Sequence, residues 1–331
     1  MLNKMIIHWL SATAASIRKN APQSVPQLLS SPFEKGLTRS FDGTSIYWER
    51  HGPRHNEPSK KPAMIFCYGL ICSMNQWREQ IEYFKKTNTC ILLDYRGHHK
   101  SAFPEDSRSM NISCLAKDVK AVMQANNITQ PSIIWGHSLG CQVALELAIA
   151  HPDLVKHLIL ICGCLNNPFK KMFPYGENVI HKLLSTYDKY PFLFHSSWKK
   201  ILMLSPEITR YIAFHTGFNA KASTADDGKA YAAAISLINP RTFYALLRDL
   251  TRGLSPSLVS KIKAPSYIIS GANDKVTPAS NQKELHQALP QSTFISIPAG
   301  SHNVQLDFGD YINMKVESLW NNSKSSTNLK P

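Results

Sequence analysis

Hydrophobic and polar positions follow two alternating patterns from about residue 37 onward. Short apolar runs at 63–67, 90–93 and 132–135 have the length and character of buried strands. Longer segments with helical spacing lie between such runs, as at 112–124 and 139–150. This alternation predicts an α/β fold in which a mostly parallel central sheet is flanked by helices on both faces.

The alternation is interrupted after the sixth predicted strand, at 157–161. The next part of the chain contains several helical patterns and many aromatic residues but no convincing strand, and strands resume at 266–270 and 293–297. An all-helical block at this place predicts a cap over the sheet. The predicted divisions are an N-terminal amphipathic segment and linker (1–34), a core (35–163 and 256–320), a helical cap (164–255) and a disordered tail (321–331).

The N-terminal segment has apolar residues on one face at helical spacing, which predicts an amphipathic helix that docks on the domain or on a membrane surface: Leu2, Ile6, Trp9, Leu10 and Ile17. A weak secretion signal is the alternative, although the apolar run at 5–10 is shorter than such signals usually are. The expected location is cytoplasmic, with membrane association or export left open.

Charge and cysteine content narrow the class of protein. The 331 residues include 37 Lys and Arg against 23 Asp and Glu, a net charge of +14. The basic residues are scattered and accompany no nucleic-acid-binding motif, so we expect no nucleic-acid partner, while peripheral contact with an anionic membrane surface remains open.

The seven cysteines are odd in number and several lie in apolar runs, which predicts buried free thiols in a reducing compartment.

The strongest local motif is Gly-His-Ser-Leu-Gly at 136–140, between a predicted strand and a predicted helix. A serine on so tight a turn needs neighbours without clashing side chains, which explains Gly136 and Gly140. The helix that follows directs backbone N–H groups toward a developing oxyanion. The motif predicts Ser138 as a nucleophile, with His137 as a packing or supporting residue of this strand-to-helix turn.

On these residues the chain resembles the α/β-hydrolase superfamily, over nearly all of 37–320. The family order is nucleophile, acid, histidine. Gly-Ala-Asn-Asp-Lys-Val-Thr-Pro at 271–278 is similar to the family's acid loop, and Ala-Gly-Ser-His-Asn at 299–303 is similar to its histidine loop. The resemblance implies that His302 is the general base of Ser138 and that Asp274 orients its imidazole.

The resemblance also implies an oxyanion hole formed by two backbone N–H groups. One belongs to Leu139, directly after the nucleophile, and the other to Leu70, in the loop after the strand at 63–67. Tyr68 stands where the family usually has histidine, so the local hydrogen bonds must differ from those of the family.

Asp-Tyr-Arg-Gly-His-His-Lys-Ser at 94–101 resembles a structural loop of the family, with His99 where glycine is usual. No carboxylate or cysteine lies at ligand spacing from His98 and His99, so we expect solvated loop histidines and no metal site. The sequence has no phosphate-binding or dinucleotide-binding glycine motif, and we expect no cofactor.

These features predict a hydrolase whose small-molecule substrate is a carboxylic ester. The cap interleaves aromatic residues and lysines, which favours a hydrophobic or lipid-like ester. The same triad also serves cofactor-free perhydrolases and C–C bond hydrolases in the family, and a non-catalytic ligand-binding protein could retain the fold. Epoxide hydrolases and dehalogenases of the family have aspartate where Ser138 stands, which disfavours them.

Overall fold

The structure is a computed structural model that describes residues 24–53, 61–172, 175–192, 194–195 and 224–326. The predicted amphipathic face at residues 2–17 lies outside these ranges, as do several aromatic residues of the predicted cap. Among the described residues, no helix combines the length and apolar character needed to cross a membrane.

Eight strands form one sheet in the order β1-β2-β4-β3-β5-β6-β7-β8. The first two pairings, β1 with β2 and β2 with β4, are antiparallel, and the remaining pairings are parallel. This confirms the predicted mostly parallel sheet. The strands are β1 Glu34–Arg39, β2 Ser45–His51, β3 Met64–Cys67, β4 Cys90–Leu93, β5 Ser132–His137, β6 Val155–Ile161, β7 Ser266–Gly271 and β8 Ser292–Ile297.

The helices follow the strands in the alternation that the sequence predicts. Every residue of β3, β4 and β5 is buried, because helices cover both faces of the parallel part of the sheet. The helices of the described residues are α1 Arg78–Phe84, α2 Ile112–Ala125, α3 Leu139–Ala150, α4 Phe169–Met172, α5 Gly176–Lys189, α6 Ala225–Leu237, α7 Pro240–Arg252, α8 Pro256–Val259, α9 Ala279–Ala288, α10 Val304–Asp307 and α11 Gly309–Ser326.

The insert between β6 and β7 is helical in its described residues, as predicted, and contributes α4 to α8. The Leu254 N–H donates to the Leu165 carbonyl at 2.9 Å, which closes the base of the insert. A second contact between the insert and the core is an ion pair of 2.5 Å between Arg78 of the core and Asp227 of α6. The residue limits predicted for the cap, 164–255, stay a prediction.

Two segments differ from the sequence-based expectation. Residues 24–29, predicted as a linker, lie against the core: Leu29 is buried, and the Asn75 side chain accepts from Leu28 N and donates to the Pro26 carbonyl. At the other end, α11 continues to Ser326 and so enters the segment predicted as a disordered tail at 321–331. The polar residues 321–326 include no proline or glycine that would end the helix.

All seven cysteines are buried and free of disulfides, as predicted: Cys67, Cys72, Cys90, Cys114, Cys141, Cys162 and Cys164.

Candidate active site

Ser138 occupies the turn between β5 and α3 with a backbone conformation that is rare for a non-glycine residue, φ 54° and ψ −119°. The Ser138 N–H donates to the Ile161 carbonyl at 3.0 Å, and the Ser138 carbonyl accepts from Cys141 N at 3.0 Å. The neighbouring strand and helix therefore hold the strained turn in place. Unlike the residues on either side, Ser138 is partly exposed.

The two glycines of the motif are required by close backbone contacts. A Cβ atom on Gly140 would lie 2.0 Å from the Cys67 carbonyl oxygen, and one on Gly136 would lie 2.6 Å from the Gly140 carbonyl oxygen. Real atoms do not approach so closely, so any side chain at either position would displace the helix or the end of β3. This is the steric requirement that the sequence motif predicts.

Asp274 and His302, separated by 28 residues, are joined by a hydrogen bond of 2.9 Å from His302 Nδ1 to Asp274 Oδ2. Both side chains are almost fully buried. Asp274 Oδ1 accepts two further bonds of 2.8 Å, from the backbone N–H groups of Val276 and Thr277. Burial by itself would raise the pKa of Asp274, but the charge of a protonated His302 and these hydrogen bonds outweigh it and lower the pKa.

Thr277 is a supporting residue that sequence reasoning missed. Its hydroxyl lies 2.8 Å from Asp274 Oδ2 and 2.8 Å from the Cys162 carbonyl oxygen, so it can donate to either acceptor. The same hydroxyl is 3.3 Å from His302 Nδ1. The side chain of Gln282 fixes the loop further by donating to the Thr277 carbonyl at 2.7 Å. The acid loop is thus tied to the end of β6 and to α9.

His137 connects the serine turn to the histidine loop. Its Nε2 lies 2.8 Å from the His302 carbonyl oxygen, and the two imidazole rings are 4.8 Å apart. Burial, together with the charge of His302, lowers the pKa of His137 to about 3. A neutral ring beside a carbonyl must carry its proton on Nε2, so His137 donates to the histidine loop. Sequence reasoning identified the position as supporting but not this partner.

Among the described residues, no hydrogen bond joins Ser138 Oγ to the His302 ring. Such bonds are often long in the unliganded state and tighten when substrate binds. The His137 bond already holds the His302 backbone against the residue next to Ser138.

The loop after β3 lies directly beside the serine. A Cβ atom on Gly69 would come within 3.1 Å of both Ser138 Cβ and His137 Nδ1. Within the described part of the chain, neither Leu70 N–H nor Leu139 N–H donates to another backbone carbonyl. Both N–H groups therefore stay candidates for the two oxyanion donors.

Tyr68 is fully buried and points away from solvent. The Tyr68 hydroxyl lies 3.5 Å from Asp94 Oδ1 and accepts a hydrogen bond from the Tyr95 backbone N–H at 3.1 Å. The Tyr95 hydroxyl in turn donates to the Tyr68 carbonyl at 3.1 Å. Tyrosine in place of the usual histidine thus ties the loop after β3 to the loop after β4.

The loop at 94–101 contradicts one expectation. His98 and His99 were expected to be solvated, but His98 is buried against the rings of Tyr68 and Tyr95, and His99 is half-buried with Nε2 2.8 Å from the Cys72 carbonyl oxygen. Aromatic packing in the turn overrides their polarity. The neighbouring Arg96 is fully buried in ion pairs with Asp42 and Asp118, which fits a structural role for this loop.

Cys162, Asp274 and His302 have potential ligand atoms within 4.8 Å of one another. A metal ion there would have to replace the Asp274–His302 hydrogen bond. It would also need the Cys162 thiolate, and burial raises the pKa of this thiol well above its ordinary value. These properties favour a hydrogen-bonded pair over a metal centre at this position.

A cluster of buried side-chain amides lies behind the histidine loop. Gln76 donates to Asn303 Oδ1 at 2.6 Å, and Gln80 donates to the Gln305 carbonyl at 3.0 Å and to Asn313 Oδ1 at 3.2 Å. All five residues are buried. They connect the segment 76–80 to the chain that follows His302, across more than two hundred positions of sequence.

Comparison with known proteins agrees with this fold. The sequence profile of the alpha/beta hydrolase fold matches residues 62–308. Human epoxide hydrolase 4 is 26% identical over 285 residues, which cover 82% of this chain and 74% of that protein. The esterase RhEst1 of Rhodococcus has a TM-score of 0.67 at 19% identity over 86% of this chain and 98% of its own. A thermophilic esterase of Thermogutta terrifontis also has a TM-score of 0.67, at 14% identity over 87% of this chain and 98% of its own.

Proposed function

The chain belongs to the alpha/beta hydrolase fold family, and we propose that it is a serine hydrolase that cleaves carboxylic esters through an acyl-enzyme on Ser138. The observation that carries this proposal is the Asp274–His302 pair, bonded at 2.9 Å and held against the Ser138 turn through His137. A buried carboxylate bonded to Nδ1 leaves Nε2 of the same imidazole free to accept a proton.

In the first half of the reaction, Ser138 Oγ attacks the ester carbonyl carbon while His302 Nε2 takes the hydroxyl proton. The carbonyl electron pair moves onto oxygen, where the N–H groups of Leu70 and Leu139 stabilise the negative charge. The tetrahedral intermediate then collapses, the bond to the alkoxy oxygen breaks, and His302 gives its proton to the leaving alcohol.

In the second half, water repeats these steps on the acyl-enzyme. His302 takes a proton from the water as its oxygen bonds to the acyl carbon, and returns that proton to Ser138 Oγ as the acid leaves. Asp274 stays ionised throughout, which its lowered pKa favours, and stabilises the imidazolium that forms twice per turnover.

The described part of the cap supports a hydrophobic acyl group. Leu184, Tyr244 and Leu247 form a buried apolar cluster against which Leu70 packs, and Leu70 carries a proposed oxyanion donor. The carbonyl carbon of a bound ester would therefore lie close to apolar cap residues. A preference for acyl chains longer than acetyl follows.

Epoxide opening is the second candidate, because human epoxide hydrolase 4 is a relative. The family resemblance associates that reaction with aspartate at the nucleophile position, and this chain has serine there. We therefore expect turnover of p-nitrophenyl esters and none of styrene oxide, a comparison that separates the two candidates.

The test is labelling by a fluorophosphonate probe, which reacts with activated serines. We expect wild type to be labelled, Ser138→Ala to be unlabelled, and the exposed-serine control Ser107→Ala to be labelled like wild type. A folded wild-type protein that resists the probe and turns over no ester would contradict the proposal and favour the ligand-binding alternative.

A further inference from the structure

The side of α5 that faces away from the core exposes large apolar residues. Tyr175 and Phe192 are 79% and 78% exposed, and Val179 and Tyr190 are 51% and 55% exposed. Soluble proteins seldom leave several such side chains exposed side by side without a partner. Val179 lies on α5 itself, and Tyr175 and Tyr190 are the residues directly before and after the helix, so these exposed residues form a stripe that runs from one end of α5 to the other.

Lysines lie within the same stripe, and the acidic residues of the helix do not. Lys182 and Lys189 follow Val179 at three and ten positions, so they fall on the exposed side. Among the described residues neither ammonium group has a carboxylate partner. Glu177 and Asp188 lie on the flank of α5 and are paired with Lys170 and Arg248. The outer face of α5, defined as Tyr175, Val179, Lys182, Lys189, Tyr190 and Phe192, is therefore apolar and positively charged.

We propose that the outer face of α5 docks this protein onto anionic phospholipid bilayers. Amphipathic aromatic rings settle at the level of the lipid headgroups, and lysines beside them attract the anionic leaflet. A second copy of the chain is a poorer occupant, because a two-fold contact would bring the unpaired lysines against one another. The net charge of +14 adds long-range attraction to the same surface.

The inner face of α5 gives this contact a consequence for the site. Leu184 and Tyr187 pack with Tyr244 and Leu70, and the Tyr187 and Tyr244 rings stack at 3.9 Å. Docking would place the loop beside Ser138 within one helix thickness of the lipid headgroups. The membrane contact itself does not depend on the proposed esterase activity.

The test is co-sedimentation of the full-length protein with vesicles of phosphatidylcholine containing phosphatidylserine, compared with pure phosphatidylcholine. We expect wild type to bind the anionic vesicles and to be released by added salt. The double variant Lys182→Glu/Lys189→Glu should bind at least about 30-fold more weakly, since each lysine near such a surface contributes roughly fivefold and each glutamate adds repulsion. Tyr190→Ser/Phe192→Ser should also bind more weakly, without a change in net charge.

The matched control is Lys261→Glu/Lys263→Glu, which changes the net charge equally but lies just before the start of β7, at the opposite end of the parallel strands from the Leu70 loop on which α5 packs. Equal loss in both charge variants would show attraction by net charge alone and overturn the assignment. Full binding by both α5 variants would also overturn it and direct attention to residues 1–23. Unfolding temperatures equal to that of wild type would show that the variants are folded, so that either result reports on the changed surface.

Discussion

The loops around Ser138 and the helical cap are built in opposite ways. Around Ser138 the backbone segments approach so closely that glycines are obligatory, and Asp274, His302 and His137 each have a defined hydrogen-bond partner. The described cap instead packs through a small cluster centred on Leu184, Tyr244 and Leu247 and leaves large aromatic residues exposed. Under the proposed function, this comparison predicts that changes in the loops alter the rate of the chemical step and that changes in the cap alter the choice of substrate.

The largest loss of activity is expected from a change at Asp274, where the hydrogen bonds of the site are densest. Asp274→Asn would favour the His302 tautomer that carries no proton at Nδ1, so Nε2 could not act as base. We expect kcat for ester hydrolysis to fall about 10⁴-fold with little change in KM. Steady-state kinetics with a p-nitrophenyl ester measure this. The exposed Asp226→Asn is the control, and a loss below about tenfold in Asp274→Asn would contradict the assigned role.

Buried histidines in the core loops make the stability of the fold sensitive to acid. Burial lowers the pKa of His98 and of His137 to about 3, from ordinary values near 6.5. At these two histidines the unfolded chain therefore binds more protons between these limits, and their contribution to the free energy of unfolding decreases as the pH falls from 6.5 toward 3. Each histidine contributes a slope of up to about 1.4 kcal/mol per pH unit.

Urea unfolding at several pH values measures that slope. We expect His98→Asn to reduce the slope of the free energy of unfolding against pH by up to about 1.4 kcal/mol per pH unit. The matched control is His181→Asn, at an exposed position. A slope unchanged by loss of His98 would mean that this ring is protonated in the folded state.

The amide cluster behind the histidine loop should have a smaller, selective effect. Gln76→Leu removes the donor to Asn303, the residue after His302. A small misplacement of a catalytic group costs up to about 100-fold in rate, so we expect kcat to fall between about 10- and 100-fold at nearly constant KM. Gln142→Leu, the same change at another buried glutamine, controls for lost stability. Equal kinetics in the two variants would limit Gln76 to a structural role.

The smallest effect on the chemistry is expected from the cap. Tyr244→Ala removes the ring that stacks on Tyr187. We expect KM for long-chain esters to rise by less than about tenfold, as loss of apolar contact predicts, while labelling of Ser138 by fluorophosphonate stays at the wild-type rate. Tyr267→Ala, in the sheet, is the control. Slower labelling in Tyr244→Ala would mean that the cap helps to position the catalytic groups.

The features predicted from sequence are those with a local steric or periodic cause. The strand and helix alternation follows from hydrophobic spacing, and the serine turn follows from Gly136 and Gly140, whose contacts are with the turn itself and the adjacent strand. The chain order of Ser138, Asp274 and His302 came from family resemblance. The structure joins the last two directly, and their catalytic roles stay a proposal.

The features that sequence did not predict depend on partners far apart in the chain. The Gln76–Asn303 bond joins residues 227 positions apart, and no local pattern specifies it. Residues 24–29 have the composition of a linker but dock because Asn75 offers an amide that pairs with their backbone. His98 has a polar side chain in a turn, yet ring packing against Tyr68 and Tyr95 buries it.

The most direct test of the central claim is peptide mass spectrometry of the protein quenched during turnover of a slowly hydrolysed ester. The account predicts an acyl group on the peptide that contains Ser138, absent in Ser138→Ala and longer-lived in His302→Ala after forced acylation. An acyl group on another residue, or ester turnover that persists in Ser138→Ala, would contradict it.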